Sequence, residues 1–595
     1  MRFIAAMVSL VVAALLLVLG FGFKFFAGPT TISVAVPSSS QMPYVVIDPA
    51  VLHLHPGFQT VTADGAKLNT VGYGQTSDVL AWLGGSAYER ISANPKTLKL
   101  SGQQIDANES TKDAPTAAAA QDQKIVSPAG SDMWLGESTV EKAQANLSMN
   151  IGNDETVIVS SDGLTPAPSN ILVSWPLPGP QFLWMDANVL MIVGGGFLLL
   201  GIGLYIWALL HMRRGQGPRR RGRGRMPKPP RPARIKGTKI PISGPRTGRR
   251  ALSGGSSFVA IALGSLVVVG LSACSTGISP TPTPPPTSTD AVNTTGPRPV
   301  VSEKQLLVIL DKVTTTLTTA DEKKDLALVT SRLGGAALEA RSANYAMRKT
   351  NAKIAALPAI ASTPVQLFLP QTTELWPRSI LVMVPAAQPV KKGEQPPTVS
   401  MVLTQESPRS NYKVVYMTDL EPKQRTPEVS ASTAGSPLVA LDTKLLLASP
   451  NDLAATYGDV LNKGANSKFV SLFDGTGDTL RPRIAEERKS QQGNKQVRVT
   501  FADYAGAYVP VAFATVDAGA IVSVQLNEVG TFLPLNNRDL KLAGELKALS
   551  GIEISNRPVR ATYGLQLLMY VPAVGSTKKI QMLGYSENLT SVKLK

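Results

Sequence analysis

ANVLMIVGGGFLLLGIGLYIWALL, residues 187–210, runs for 24 positions without a charged side chain, and Arg213, Arg214, Arg219, Arg220 and Arg221 follow it closely. An apolar stretch of this length is expected to cross a bilayer as a helix. Phe182 and Trp184 at one end, with Tyr205 and Trp207 near the other, suit the two membrane interfaces. A short basic flank stays on the cytoplasmic side, so the arginines fix the direction of crossing. Working outward, Phe3 to Phe23 is a second apolar run, which as a helix spans roughly 31 Å, about one hydrocarbon core. It reads as an uncleaved signal anchor; cleavage after the small residues Ala27 and Gly28 is the alternative, and both export the region C-terminal to it. The loop between the two runs then lies outside. Its charge agrees, with fourteen acidic against seven basic residues between Gly28 and Met185.

The chain has 595 residues, a net charge of +17 and a single cysteine, Cys274. Twelve arginines and three lysines, with no acidic residue, fall between Arg213 and Arg250, so this one segment carries +15 of the total. The remainder is close to neutral. With Gly and Pro interspersed and no aromatic residue, the segment 213–257 is expected to be disordered, to hold its loop in the cytoplasm and to attract anionic lipid. It gives no basis for expecting a nucleic-acid partner. One cysteine also excludes an internal disulfide framework and a cysteine-rich zinc site.

Arg249 and Arg250 precede a 14-residue apolar stretch, Phe258 to Leu271, which leads into Leu271-Ser272-Ala273-Cys274. This resembles a bacterial lipoprotein signal, with a basic start, a short apolar core and a lipobox. The resemblance implies that the Cys274 thiol accepts diacylglycerol and that Leu271, Ser272 and Ala273 admit signal peptidase. Its position almost halfway along the chain leaves two outcomes open. Either the junction is processed into a two-helix protein and a lipoprotein, or the chain stays whole with a third span at 258–274. The C-terminal half is exported in both.

Residues 28–185 alternate short apolar runs with turn signals, as at Tyr44 to Ile47, Thr156 to Val159 and Ile171 to Trp175, and this pattern predicts a β-sandwich. A Pro/Thr-rich tether occupies 275–300. Beyond it, Ser302-Glu303-Lys304-Gln305 has the form of a capping box, and Leu306, Ile309, Leu310, Val313 and Leu317 keep helical spacing. Helices followed by strands occur twice, predicting α+β units at 301–440 and 441–595. That order resembles the cone-shaped nuclear-transport-factor-2-like folds of exported bacterial lipoproteins. The layout also looks like membrane proteins of high-GC Gram-positive, actinobacterial type, which carry patterns such as Ser77-Asp78-Val79-Leu80-Ala81-Trp82 and Gly130-Ser131-Asp132-Met133-Trp134. That resemblance implies location and no activity. The fold class expected is a multi-domain membrane protein: transmembrane helices, a β-sandwich-like exported domain and a two-unit, NTF2-like α+β domain.

Candidate chemistry is sparse. His53 and His55 on one strand face could ligate a metal, although no third histidine lies in the exported regions. Ser410 and Lys413 have the spacing of a Ser-Lys nucleophile, without the companion motifs that such enzymes carry. Asp474 and Asp478 flank a Gly-rich turn that could take calcium but reads more simply as a solvated loop. No catalytic constellation, metal site or cofactor is expected. The expectation is an envelope-anchored binding or scaffold protein at the plasma membrane, its partners the lipid bilayer and cell-wall polymer or other envelope proteins. An envelope enzyme acting on peptidoglycan or glycan is the alternative, and an accessory factor in secretion is a third.

Overall fold

The computed structural model describes residues 2–26, 31–38, 41–94, 96–107, 127–176, 181–182, 185–214, 298–387, 396–422, 424–491, 495–536 and 538–595. Arg219, Arg220, Arg221, the lipobox residues Leu271 to Cys274 and the tether up to residue 297 lie outside these. Two compact units result, one from Met1–Phe26 with Pro180–Thr295, the other from Ala27–Gly179 with Gly296–Lys595.

In the first unit the described residues are chiefly two helices, Arg2–Phe26 and Ala187–Arg214, both long and apolar enough to cross a membrane. They run antiparallel, because Phe3 meets Tyr205 edge-on at 5.8 Å, while Gly201 lies against Leu10 and Gly194 against Leu17. Glycine is what permits the approach. A Cβ on Gly201 would stand 2.8 Å from the Leu10 side chain, inside contact distance, and small residues of this kind let helix backbones close up where no hydrophobic force drives them together. The Ser9 hydroxyl donates to the Phe197 carbonyl at 2.9 Å.

The second unit begins with two sheets. Thr31–Ala35, Asn170–Pro176, Gln59–Asp64 and Ala145–Met149 form an antiparallel four-stranded sheet in that order. Six strands form the other, in the order Leu100–Ile105, Tyr88–Ala93, Tyr44–Ile47, Glu155–Ser160, Leu68–Gln75, Gly136–Glu141. Val61, Val173 and Trp175 from the smaller sheet pack with Val45, Ile47, Val157 and Val159 from the larger in one core. The alternate residues Tyr44, Val46 and Ile158 pack on Trp82 and Trp134 in a second core, which includes the helix Thr76–Leu83. Two features depart from a plain sandwich. The strands Tyr44–Ile47 and Tyr88–Ala93 pair in parallel, and a helix covers the outer face of the larger sheet. Central strands buried on both faces lose the alternation that marks a solvated sandwich face.

From residue 298 onward the capping box forms as spaced. The Ser302 hydroxyl accepts from the Gln305 amide, and the Gln305 side chain accepts from the Ser302 amide, opening the helix Glu303–Lys323. Leu326–Thr330 and Gly335–Thr350 come next as helices, then four strands, then the helices Pro450–Lys463 and Leu480–Gln491 and a second set of strands. The two strand sets do not make separate sheets. They join in one antiparallel nine-stranded sheet, in the order Leu367–Pro370, Arg378–Pro385, Thr398–Gln405, Lys413–Leu420, Gln581–Leu594, Val559–Val571, Ala520–Pro534, Val497–Ala505, with Val511–Ala514 also on Ala520–Pro534. The expectation of two self-contained α+β units is corrected to two helix-covered cores on one face of a shared sheet. A single cluster, including Leu381, Tyr416, Phe513 and Tyr570, lines the reverse face across both halves. Periodicity marks a strand without naming its partner, and each half ends in an edge whose unpaired backbone groups find those of the other.

Candidate functional site

The strands Lys413–Leu420 and Gln581–Leu594 join the halves through two residue pairs alone, Asp419 with Tyr585 and Leu420 with Gly584. The backbones come so close here that a Cβ on Gly584 would lie 2.4 Å from the Asp419 carbonyl oxygen. Beyond the joint the strands part, and side chains take over the strand donors: Gln566 Oε1 accepts from the Met417 amide at 2.8 Å and Ser586 Oγ from the Asp419 amide at 3.1 Å. A cleft of about 200 Å³ opens at this parting. Ala337, Ala340 and Arg341 of the helix Gly335–Thr350 form one wall, and Asp419, Gln566, Ser586, Glu587 and Asn588 supply polar groups opposite. Burial pushes the Asp419 carboxyl up, partly countered by the Ser586 hydroxyl. Burial likewise raises Glu587, against the pull of the Arg483 guanidinium that grips it. Arg341 is held by Asp321, so its charge is committed to the wall. The cleft thus offers carboxyl groups that keep a proton more readily than solvated ones, beside amide and hydroxyl groups. This chemistry suits binding a small polar ligand. A wider hollow lined by Thr314, Thr315, Thr318 and Thr319 offers less, since the Thr318 and Thr319 hydroxyls already donate to carbonyls one turn back.

A second arrangement joins the two segments of this unit. The Asp132 carboxylate, wholly buried, meets the Arg332 guanidinium fork to fork, at 2.5 Å to one nitrogen and 3.2 Å to the other. It also accepts from the Tyr412 amide at 3.0 Å and from Lys312 Nζ at 3.3 Å, while its own amide donates to the Asn411 side chain. Asp78 pairs with Arg378 at 2.9 Å, and the Arg378 guanidinium stacks 3.7 Å over the Trp376 ring. Arg409 donates to the Trp82 and Leu83 carbonyls and to Ser86 Oγ, closing the C-terminus of the helix Thr76–Leu83, where orphan carbonyls favour a cation. Trp376 packs against the cluster built on Trp82 and Trp134. The Ser77–Trp82 and Gly130–Trp134 stretches therefore face residues 305–412. Sequence reasoning singled out both stretches without a role and missed Arg332, Arg378 and Arg409. Arg332 lies two residues beyond the short helix Leu326–Thr330 and is buried, and its neighbours in the chain do not mark it as a partner for a distant carboxylate.

The remaining candidates are dispersed. His53 and His55 are not on a strand: the short helix Pro49–Leu52 ends at His53, whose ring nitrogens face the Pro49 and Ile151 carbonyls, and the His55 ring meets Trp175 edge-on. The intervening Asp48-Pro49 starts a helical turn that the apolar pattern does not reveal. The Ser410 hydroxyl is bonded to Ser407 Oγ at 2.8 Å. Asp478 receives the Tyr457 hydroxyl and the Arg481 guanidinium, and Asp474 accepts the Thr476 amide, so both carboxylates brace the turn. Arg213 and Arg214 end the second apolar helix. Among the described residues no three His, Cys, Asp or Glu side chains group as metal ligands.

A family described as a domain of unknown function, DUF8094, matches residues 297–593. No curated protein matches the chain, and no solved structure does.

Proposed function

We propose that this is an envelope-anchored binding or scaffold protein whose residues 28–185 and 275–595 work together outside the plasma membrane, with 213–257 in the cytoplasm. One observation carries the reading. Residues 31–176 and 298–595 form a single compact unit with buried ion pairs, although the apolar helix Ala187–Arg214 and the +15 segment separate them in the chain. A unit of this kind cannot straddle a bilayer. If Ala187–Arg214 crosses, the chain must return before residue 298, and the segment 258–274, whose 14-residue apolar core has the length of a signal-peptide core, is the export signal proposed to return it. That segment ends in the proposed lipobox, Leu271 to Cys274, so lipidation of Cys274 is part of the reading, giving the exported unit a second attachment to the membrane. The cleft of about 200 Å³ where the two strands part at Asp419 supports binding as the role and suits a short polar portion of the partner, for which the proposed position outside the membrane favours cell-wall polymer or another envelope protein.

The topology test places single cysteines in a Cys274→Ser background at Leu164 and Leu445, both well exposed, and at Arg223, then applies a membrane-impermeant maleimide to whole cells. Labelling at 164 and 445 without labelling at 223 is expected. Protection of either exported position, or labelling at 223, overturns the topology. The intact mass of the extracted protein decides lipidation: acyl mass on a fragment that begins at Cys274 is expected, and an unmodified chain of 62.9 kDa sinks it.

The second reading, an enzyme acting on glycan, rests on Asp419 and Glu587 sharing one cleft with both carboxyls raised by burial. Turnover of peptidoglycan fragments that disappears in Asp419→Asn would favour it over binding.

A further inference from the structure

The two segments of the exported unit each bring a core of their own. Val45, Val61, Val157 and Trp175 belong to one, and Leu310, Val313, Val382 and Leu403 to the other. Between them the contacts have the character of recognition between two bodies. Arg332 and Asp132 stand 200 residues apart in sequence, and Arg378 and Asp78 form the second ion pair with both side chains largely buried. Among the described residues, the Asp132 carboxylate is satisfied by partners from residues 312–412: two arginine nitrogens, a lysine and a backbone amide. Further hydrogen bonds cross the same way, from Arg409 to the carbonyl end of a helix, from Gln305 to the Met133 carbonyl, from Lys312 again to the Gly130 carbonyl and, at the exposed rim, from Arg298 to Asp154. Trp376 contributes apolar surface beside them.

We infer that residues 31–176 and 298–595 recognise each other as a noncovalent pair that survives loss of the chain connecting them, so that the exported unit is competent as two polypeptides. Buried charges favour the correct partner, because each leaves an uncompensated ion if the other segment departs. This inference stands on the contacts alone and holds whether the connecting chain is cut or intact. Processing at Cys274 would therefore leave the two-helix protein and the lipoprotein joined as one body.

The test uses the full chain in detergent with a specific protease site inserted between Pro285 and Pro286 and an affinity tag at the C-terminus. After cutting, the N-terminal piece is expected to co-purify with the tagged piece through gel filtration. Asp132→Asn, which leaves the Arg332 guanidinium facing a neutral group, is expected to weaken the pair more than a hundredfold. Arg298→Ala, which removes an exposed pair with Asp154, is expected to change it less than about fivefold. Should Asp132→Asn chain fail to accumulate, Arg409→Ala takes its place. Separation of the unaltered pieces on cutting overturns the inference, and so does co-purification that is equally strong in the wild type and in each of these seam variants, since something other than this seam would then hold the pieces.

Discussion

Asp132 and Arg332 face each other across 200 residues of chain, the carboxylate wholly buried and the guanidinium nearly so, in a fork-to-fork pair. Taking two charges out of water is costly, and here the cost is offset by short contacts, a third charged group at Lys312 and the Tyr412 amide. Removing one partner is therefore far more damaging than removing both. Asp132→Ala is expected to destabilise the unit formed by residues 31–176 and 298–595 by about 3–5 kcal/mol, whereas Asp132→Leu combined with Arg332→Met loses markedly less. Denaturant unfolding of the purified protein measures both. Equal losses in the single and double variants would contradict this account.

Arg488 sits between the Asp503 and Glu528 carboxylates at 2.6 and 2.8 Å. Burial pushes Asp503 up to about 6, and Arg488 pulls it back only in part. Because the folded value lies above the unfolded one, this group's contribution to stability is fully present below about pH 3.9 and is lost as pH rises through 6. The change across that window is up to about 3 kcal/mol. Wild type minus Asp503→Asn is the quantity to measure, by urea midpoints between pH 4 and 7.5. A difference that does not vary with pH would rule the effect out.

Gly201 allows the two apolar helices to touch, since a Cβ there meets Leu10, whereas a Cβ on Gly203 meets nothing within 4 Å. Gly201→Val is expected to separate the helices and Gly203→Ala to leave them together. Disulfide formation between cysteines placed at Phe3 and Tyr205 reads the outcome. Crosslinking that persists undiminished in Gly201→Val would show that the close approach is unnecessary.

Gly584 lies where the two halves of the nine-stranded sheet are joined by only two residue pairs. Gly584→Ala drives a methyl group into the Asp419 carbonyl and is expected to cost at least about 2 kcal/mol and to widen the cleft. Hydrogen exchange should rise first along 413–420 and 581–587. Uniform exchange over the whole unit would place the weak point elsewhere.

Much of the local structure was legible in the sequence. Leu306, Ile309, Leu310, Val313 and Leu317 announced a helix by spacing, and Ser302 with Gln305 announced its start; all seven stand in the helix or its cap as their spacing requires. The apolar runs at 3–23 and 187–210 announced two long helices in the same way, because length and the absence of charge suffice. These signals are local: each depends on the order of neighbours along the chain. What the sequence could not disclose was pairing. Nothing about Asp132 or Asp78 indicates that Arg332 and Arg378 will satisfy them, and nothing in the alternation of Val399 to Leu403 tells which strands will lie beside it. The single sheet spanning both halves, the cleft where Asp419 and Ser586 part, and the union of two segments on either side of a membrane-length helix were decided by tertiary structure. Their physical cause is non-local: buried charges and unpaired strand edges are costly until a distant residue supplies the partner.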